Sequence, residues 1–140
     1  MEKMRYLGID YGLRRIGVAV SDKEGRIAFP HSTIRREGDE DALQEIAALA
    51  KRENAEALVM GVPLAFSGDE TEVSVAARAF GARLKGVADM PIFFENEVLT
   101  TRMARASGAD TEHKDQSAAA IILQSYLDRT NQEERIKNQE

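Results

Sequence analysis

Three acids in this chain have the type and placement to do chemistry together: Asp10, Glu97 and Asp115. Asp10 lies in Tyr6-Leu7-Gly8-Ile9-Asp10-Tyr11-Gly12, which continues through Arg15-Ile16-Gly17-Val18-Ala19-Val20-Ser21-Asp22 and reads as a buried β-hairpin. Strand side chains alternate, so Leu7 and Ile9 share one face while Gly8 and Asp10 share the other. An ionised carboxylate in an apolar sheet needs hydrogen-bond donors, a basic side chain or a metal ion to offset its lost hydration. A solvated Asp at a strand end before the Gly12 turn is the ordinary alternative. Glu97 follows a predicted strand over Ile92 to Glu95, and Asp115 opens the final predicted helix. Hard divalent ions such as Mg²⁺ take several oxygens at once, usually a few carboxylates completed by water and substrate phosphate. Two such ions about 3.5 to 4 Å apart activate an attacking water and stabilise the leaving oxygen of a phosphodiester. The chemistry this trio suits is phosphodiester hydrolysis.

Each acid also has a structural reading. Asp115 precedes an apolar helical run and suits an N-cap, a role that keeps a carboxylate ionised and compatible with a nearby cation. Glu97 suits a first-turn helix acid, and Glu95 competes with it as a ligand. His113 is placed to assist proton transfer, but a loop His is more often simply exposed, so it stays outside the catalytic set.

Basic residues cluster near the same turn. The chain has 140 residues and a net charge of -5, which by itself argues against a phosphate-binding surface. The charge is uneven: residues 1 to 36 hold eight Lys/Arg against four Asp/Glu, and the remainder 11 against 20. Arg14 and Arg15 flank the Gly12 turn, Arg35 and Arg36 end the third predicted strand, and Lys114 precedes Asp115. These five are the candidate nucleic-acid contacts, with solvated surface charge as the plainer account.

The elements that must position these groups follow from periodicity. Strands are predicted at about 4 to 10, 15 to 21 and 26 to 34, separated by Gly12-Leu13-Arg14 and Lys23-Glu24-Gly25, turns too short for helical crossovers. An antiparallel meander results. Ala42, Leu43, Ile46, Ala47 and Ala50 predict a helix over 40 to 53, with Gly38 and Asp39 as breaker and cap. Ala57 to Gly61 reads as a buried strand. Ser67 and Glu70 match a capping box before a helix through Val73, Ala76, Ala77, Phe80 and Leu84 that stops near Gly86. A short helix suits Leu99 to Ala106, Gly108 breaks it, and Ala118, Ala119, Ile122, Leu123 and Tyr126 line the last helix. The fold class is α/β: a mixed sheet of three antiparallel strands, then alternating helices and strands, in an order that resembles the ribonuclease-H-like fold.

Length predicts one domain over 1–130 followed by a polar, frayed tail at 131–140. With no cysteine, thiolate nucleophiles, disulfides and Cys-based zinc sites are excluded, and a reducing cytoplasm is the expected compartment. No charged leader with an apolar core opens the chain and no apolar run approaches a membrane span, so a soluble protein is expected, with no membrane partner.

The chain resembles the YqgF/RuvX family of the ribonuclease-H-like superfamily, proteins described as Holliday-junction resolvases and as pre-16S ribosomal RNA nucleases. The likeness rests on Gly8-Ile9-Asp10-Tyr11-Gly12 through Asp22, then Gly61-Val62-Pro63-Leu64, Glu97-Val98-Leu99-Thr100-Thr101, and Asp115-Gln116-Ser117-Ala118-Ala119 with Ile122 to Leu127. It covers nearly the whole chain. The resemblance implies that Asp10, Glu97 and Asp115 are the catalytic, metal-binding group, that Mg²⁺ or Mn²⁺ is the cofactor, and that structured RNA or branched DNA is the partner. Two departures stand out. Asn96-Glu97-Val98 replaces the family's common Asp-Glu-Arg, and Ala65-Phe66-Ser67-Gly68 replaces Asn-x-Asp-Gly. They remove polar groups from the surroundings and leave the three acids, so a working nuclease is the expectation. A resolvase would be a homodimer and an RNA-trimming enzyme a monomer. A non-catalytic RNA-binding factor for ribosome maturation, or an actin-like or sugar-kinase-type nucleotide-binding protein, are the alternative classes, the latter disfavoured by size.

Overall fold

A computed structural model describes residues 3–96 and 111–138, with the side chains of 111–114 and 138 left out. Five strands form one sheet in the order β3-β2-β1-β4-β5: β1 Tyr6–Tyr11, β2 Arg15–Ser21, β3 Ala28–Arg35, β4 Ala57–Val62 and β5 Ile92–Asn96. The first three are the expected antiparallel meander, whereas β1–β4 and β4–β5 are parallel. β1 is therefore central, and all six of its residues are buried.

Helices cover both faces. α1 (Asp39–Arg52) carries three acids in its first turn and Lys51 and Arg52 in its last, both favourable to the helix dipole. Its cap is Gly38 rather than the expected Asp39, whose carboxylate instead accepts from Arg36 Nε at 2.8 Å. α2 (Glu72–Ala88) begins four residues beyond the expected box: Thr71 and Ser74 form it, while Ser67 bonds Asp69 and Glu70 pairs with Arg78. Exposure explains the shift, because Ser74 is fully buried and its hydroxyl must be satisfied locally. α2 runs past Gly86 and ends at Asp89, which adopts a left-handed φ of 53°.

The last helix, α3 (Thr111–Asn138), differs most from the sequence reading. It starts four residues before Asp115, so Asp115 is no N-cap, and it continues through the stretch expected to fray. Tertiary contacts carry it there: Asn131 Nδ2 donates to Gly25 O at 3.1 Å, and Arg129 pairs with Glu133 one turn along. α1 and α2 pack on the face of Leu7, Ile9 and Tyr11; α3 packs on the face of Tyr6, Ala19, Ala57 and Val59. Among the described residues no helix is long and apolar enough to cross a membrane. The predicted helix at Leu99 to Ala106 and the break at Gly108 lie outside the described residues.

Candidate active site

Alternation along β1 sends Tyr6, Gly8 and Asp10 toward α3. A Cβ added to Gly8 would meet Leu123 Cβ at 2.8 Å and Ala119 O at 3.1 Å, so the helix lies directly on the strand there. Gly17 is the antiparallel partner of Asp10. A Cβ on Gly17 would fall 2.0 Å from Asp115 O and 3.2 Å from Asp115 Cα, space that no side chain could share. One helical turn from Ala119 back to Asp115 spans about 6 Å, close to the two-residue step of about 6.7 Å from Gly8 to Asp10. Asp10 and Asp115, 105 positions apart in the chain, therefore share one stretch of the α3-side face.

Both carboxylates are sheltered. Asp10 is 2% exposed, and the Asp115 side chain 13%. Arg15 Nε donates to Asp115 Oδ2 at 2.7 Å, orienting that carboxylate and neutralising part of its charge. The buried polar groups elsewhere have architectural explanations. Ser21 Oγ accepts from Tyr6 N at 2.8 Å, and Ser74 closes the α2 capping box.

Glu95 belongs with that architectural group. It is 9% exposed and accepts from Ser125 Oγ at 3.0 Å and Arg129 Nη2 at 2.5 Å. Its oxygens tie β5 to α3, which gives it a tethering role where the sequence had it as a competing ligand. The hydrogen bond to Glu95, ahead of every other influence, raises the Arg129 guanidinium above its ordinary value. Ser125 and Arg129 are contacts that sequence reasoning missed, since neither position signals a partner thirty residues upstream. Gly17 was also missed, although the run of small residues Gly8, Gly17, Ala19 and Ala57 on one face was a signal of close helix approach.

The basic candidates divide. Arg15 is engaged by Asp115, and Arg36 donates to Asp39 and to Leu13 O while its guanidinium lies 5.3 Å from the Tyr11 ring centroid. Arg14 and Arg35 are exposed. Glu97 and the side chains of His113 and Lys114 lie outside the described residues.

Oxygen donors of this kind suit a hard divalent ion. The described residues supply two of the three candidate carboxylates; among them no cluster of three His, Cys, Asp or Glu side chains is gathered. Two carboxylates fit an ion that completes its shell with water and substrate phosphate.

Comparison with known proteins gives these residues a context. The profile of the RuvX family, described as Holliday junction resolvase, matches residues 4–129. A protein of Nitratidesulfovibrio vulgaris (strain DSM 19637 / Miyazaki F) named "Putative pre-16S rRNA nuclease" is 42% identical over 132 residues, covering 89% of this chain and 93% of the relative. A protein of the same name from Chloroflexus aggregans is 39% identical over 136 residues, 91% and 96% of the two chains. Among solved structures, RuvC of T. thermophilus in complex with a Holliday junction substrate superposes with a TM-score of 0.62 at 13% identity, covering 91% of this chain and 96% of that one. At that identity the likeness speaks for the fold, and the ribonuclease-H-like architecture expected from the element order is borne out.

Proposed function

The chain belongs to the RuvX family, and on that footing we propose that it is a metal-dependent nuclease that hydrolyses phosphodiester bonds in structured nucleic acid, with pre-16S ribosomal RNA as the foremost substrate and Holliday-junction-like DNA as the second. The single observation that supports the reading is the contact of the Asp115 main chain with Gly17, the strand partner of Asp10, which brings the segment bearing Asp115 against the hairpin bearing Asp10.

Asp10 and Asp115, joined by Glu97 on the strength of its motif, are the residues that would hold Mg²⁺ or Mn²⁺. Such a cation supplies Lewis-acid stabilisation of charge on the phosphoryl oxygens and eases deprotonation of the attacking water. The chain's own contribution is preorganisation. Asp10 is held by a central strand buried along its whole length, which limits the reordering its carboxylate needs when a cation arrives. Arg15 donates to Asp115 Oδ2 and so fixes that carboxylate. Arg14, Arg35 and Lys114 supply backbone contacts that position a strand without reading bases.

The test incubates purified protein with structured precursor ribosomal RNA and with four-way DNA junctions, in Mn²⁺ and in chelator. Asp10→Asn and Asp115→Asn are expected to lose at least about 100-fold in cleavage, whereas Glu95→Gln keeps most of it. Cleavage by Asp10→Asn at the wild-type rate would refute the assignment.

A further inference from the structure

We propose that the cleft lined by Leu13, Arg14, Arg15, Arg35, Arg36 and Glu37, about 350 Å³ in volume, is a phosphate-binding subsite that grips the sugar-phosphate backbone of a nucleic-acid strand beside the candidate active site. This deepens the nuclease reading and rests on it for the identity of the ligand.

Four arginines and one glutamate line this cleft, in a chain whose net charge is -5. Asp115 and Asp39 pair with two of the arginines, so among the described residues Arg14 and Arg35 carry its unpaired positive charge. The sheet holds the cleft in shape: Arg15 and Arg35 are cross-strand partners, and Arg36 N donates to Arg14 O at 2.8 Å. Two of the arginines act as braces. Arg36 is held by Asp39, by Leu13 O and by the Tyr11 ring, and Arg15 by Asp115. The other two are open for a ligand. Arg14 and Arg35 are exposed, and among the described residues neither has a carboxylate within ion-pair distance.

Position says which ligand. Cross-strand partners project from the same face, so Arg35 stands with Arg15 on the α3 side, the face of Asp10 and Asp115. β3 is an edge strand and lies two strand spacings, about 10 Å, from β1. A strand entering over that edge passes Arg35 and Arg14 before the carboxylates, so the arginines hold a neighbouring phosphate while the acids work on the scissile one. Guanidinium forks match phosphate oxygens in pairs and carry no base specificity, which suits positioning.

The experiment measures binding in chelator, so that no strand is cut, with a short fluorescein-labelled single-stranded RNA and, separately, a labelled four-way DNA junction. Fluorescence anisotropy gives Kd across a salt series for wild type, for the pair Arg14→Gln with Arg35→Gln, for the pair Arg14→Lys with Arg35→Lys, and for Lys51→Gln with Lys85→Gln on the opposite side. Removing two phosphate contacts should flatten the slope of log Kd against log salt by about 1.4 for the RNA and weaken binding about tenfold at low salt. The lysine pair should keep the wild-type slope, and so should the Lys51/Lys85 control. Loss in the RNA arm alone assigns the cleft to a single strand; loss in both arms assigns it to backbone phosphate shared by the two. An unchanged slope in the folded glutamine pair, or no binding by wild type, overturns the proposal. Should the slope respond while cleavage is absent in every metal, the nuclease reading fails and the subsite stands.

Discussion

On the side of the sheet covered by α1 and α2, large apolar residues do the packing: Leu7, Ile9, Ile16, Leu43, Ile46, Leu58, Met60 and Leu84 are almost entirely buried. On the side covered by α3 the strands contribute Gly8, Gly17, Ala19 and Ala57, and the buried polar groups Asp10, Ser21 and Glu95 lie among them. The first face stabilises by area removed from water. The second trades side-chain volume for proximity, so that a helix main chain reaches the sheet and brings Asp115 with it. The same five strands thus carry a stability face and a chemistry face, and substitutions should separate the two.

Gly17→Val should have the largest effect, because its Cβ would overlap the main chain of Asp115 and cannot be relieved by turning a side chain. Displacing the start of α3 should cost about 3 kcal/mol in stability and about 100-fold in cleavage. Urea unfolding and the RNA cleavage assay check both values. Retained activity in a folded Gly17→Val protein would dissolve the distinction between the faces. Leu43→Ala, on the opposite side, should lose about 3 kcal/mol by leaving a cavity while activity per folded molecule stays at wild type. A matching drop in activity would mean that both faces serve the site. Arg129→Gln should have the smallest effect, about 1 kcal/mol, since half of the Arg129 side chain is exposed and water screens the pair. Glu95 raises the Arg129 guanidinium above its ordinary value, so at neutral pH the Arg129 charge is fully present and its contribution fades only as pH rises through that raised value. A thermal melt at neutral pH therefore reads it in full.

Local patterns in the chain were enough to determine the elements. Alternation in Tyr6 to Tyr11 and Arg15 to Ser21, with Gly12-Leu13-Arg14 between them, specifies a hairpin because strand period and turn length are short-range properties. The apolar stripe of α1 and the buried run of β4 are of the same kind, and the motif order around Asp10, Glu97 and Asp115 was readable as a family resemblance. Caps were less readable, since Ser67 and Thr71 both satisfy a capping pattern and burial of Ser74 decides between them.

Only the tertiary structure decided how α3 meets the sheet. Asp115 reads as a cap from its neighbours in sequence, yet it sits one turn inside a helix whose position is set by the missing side chains of Gly8 and Gly17, 107 and 98 residues earlier. Glu95 reads as a ligand beside Glu97, yet Arg129 and Ser125 claim its oxygens. Residue type determines what a carboxylate is able to do; which cation or donor reaches it depends on close approach between segments that no local window contains.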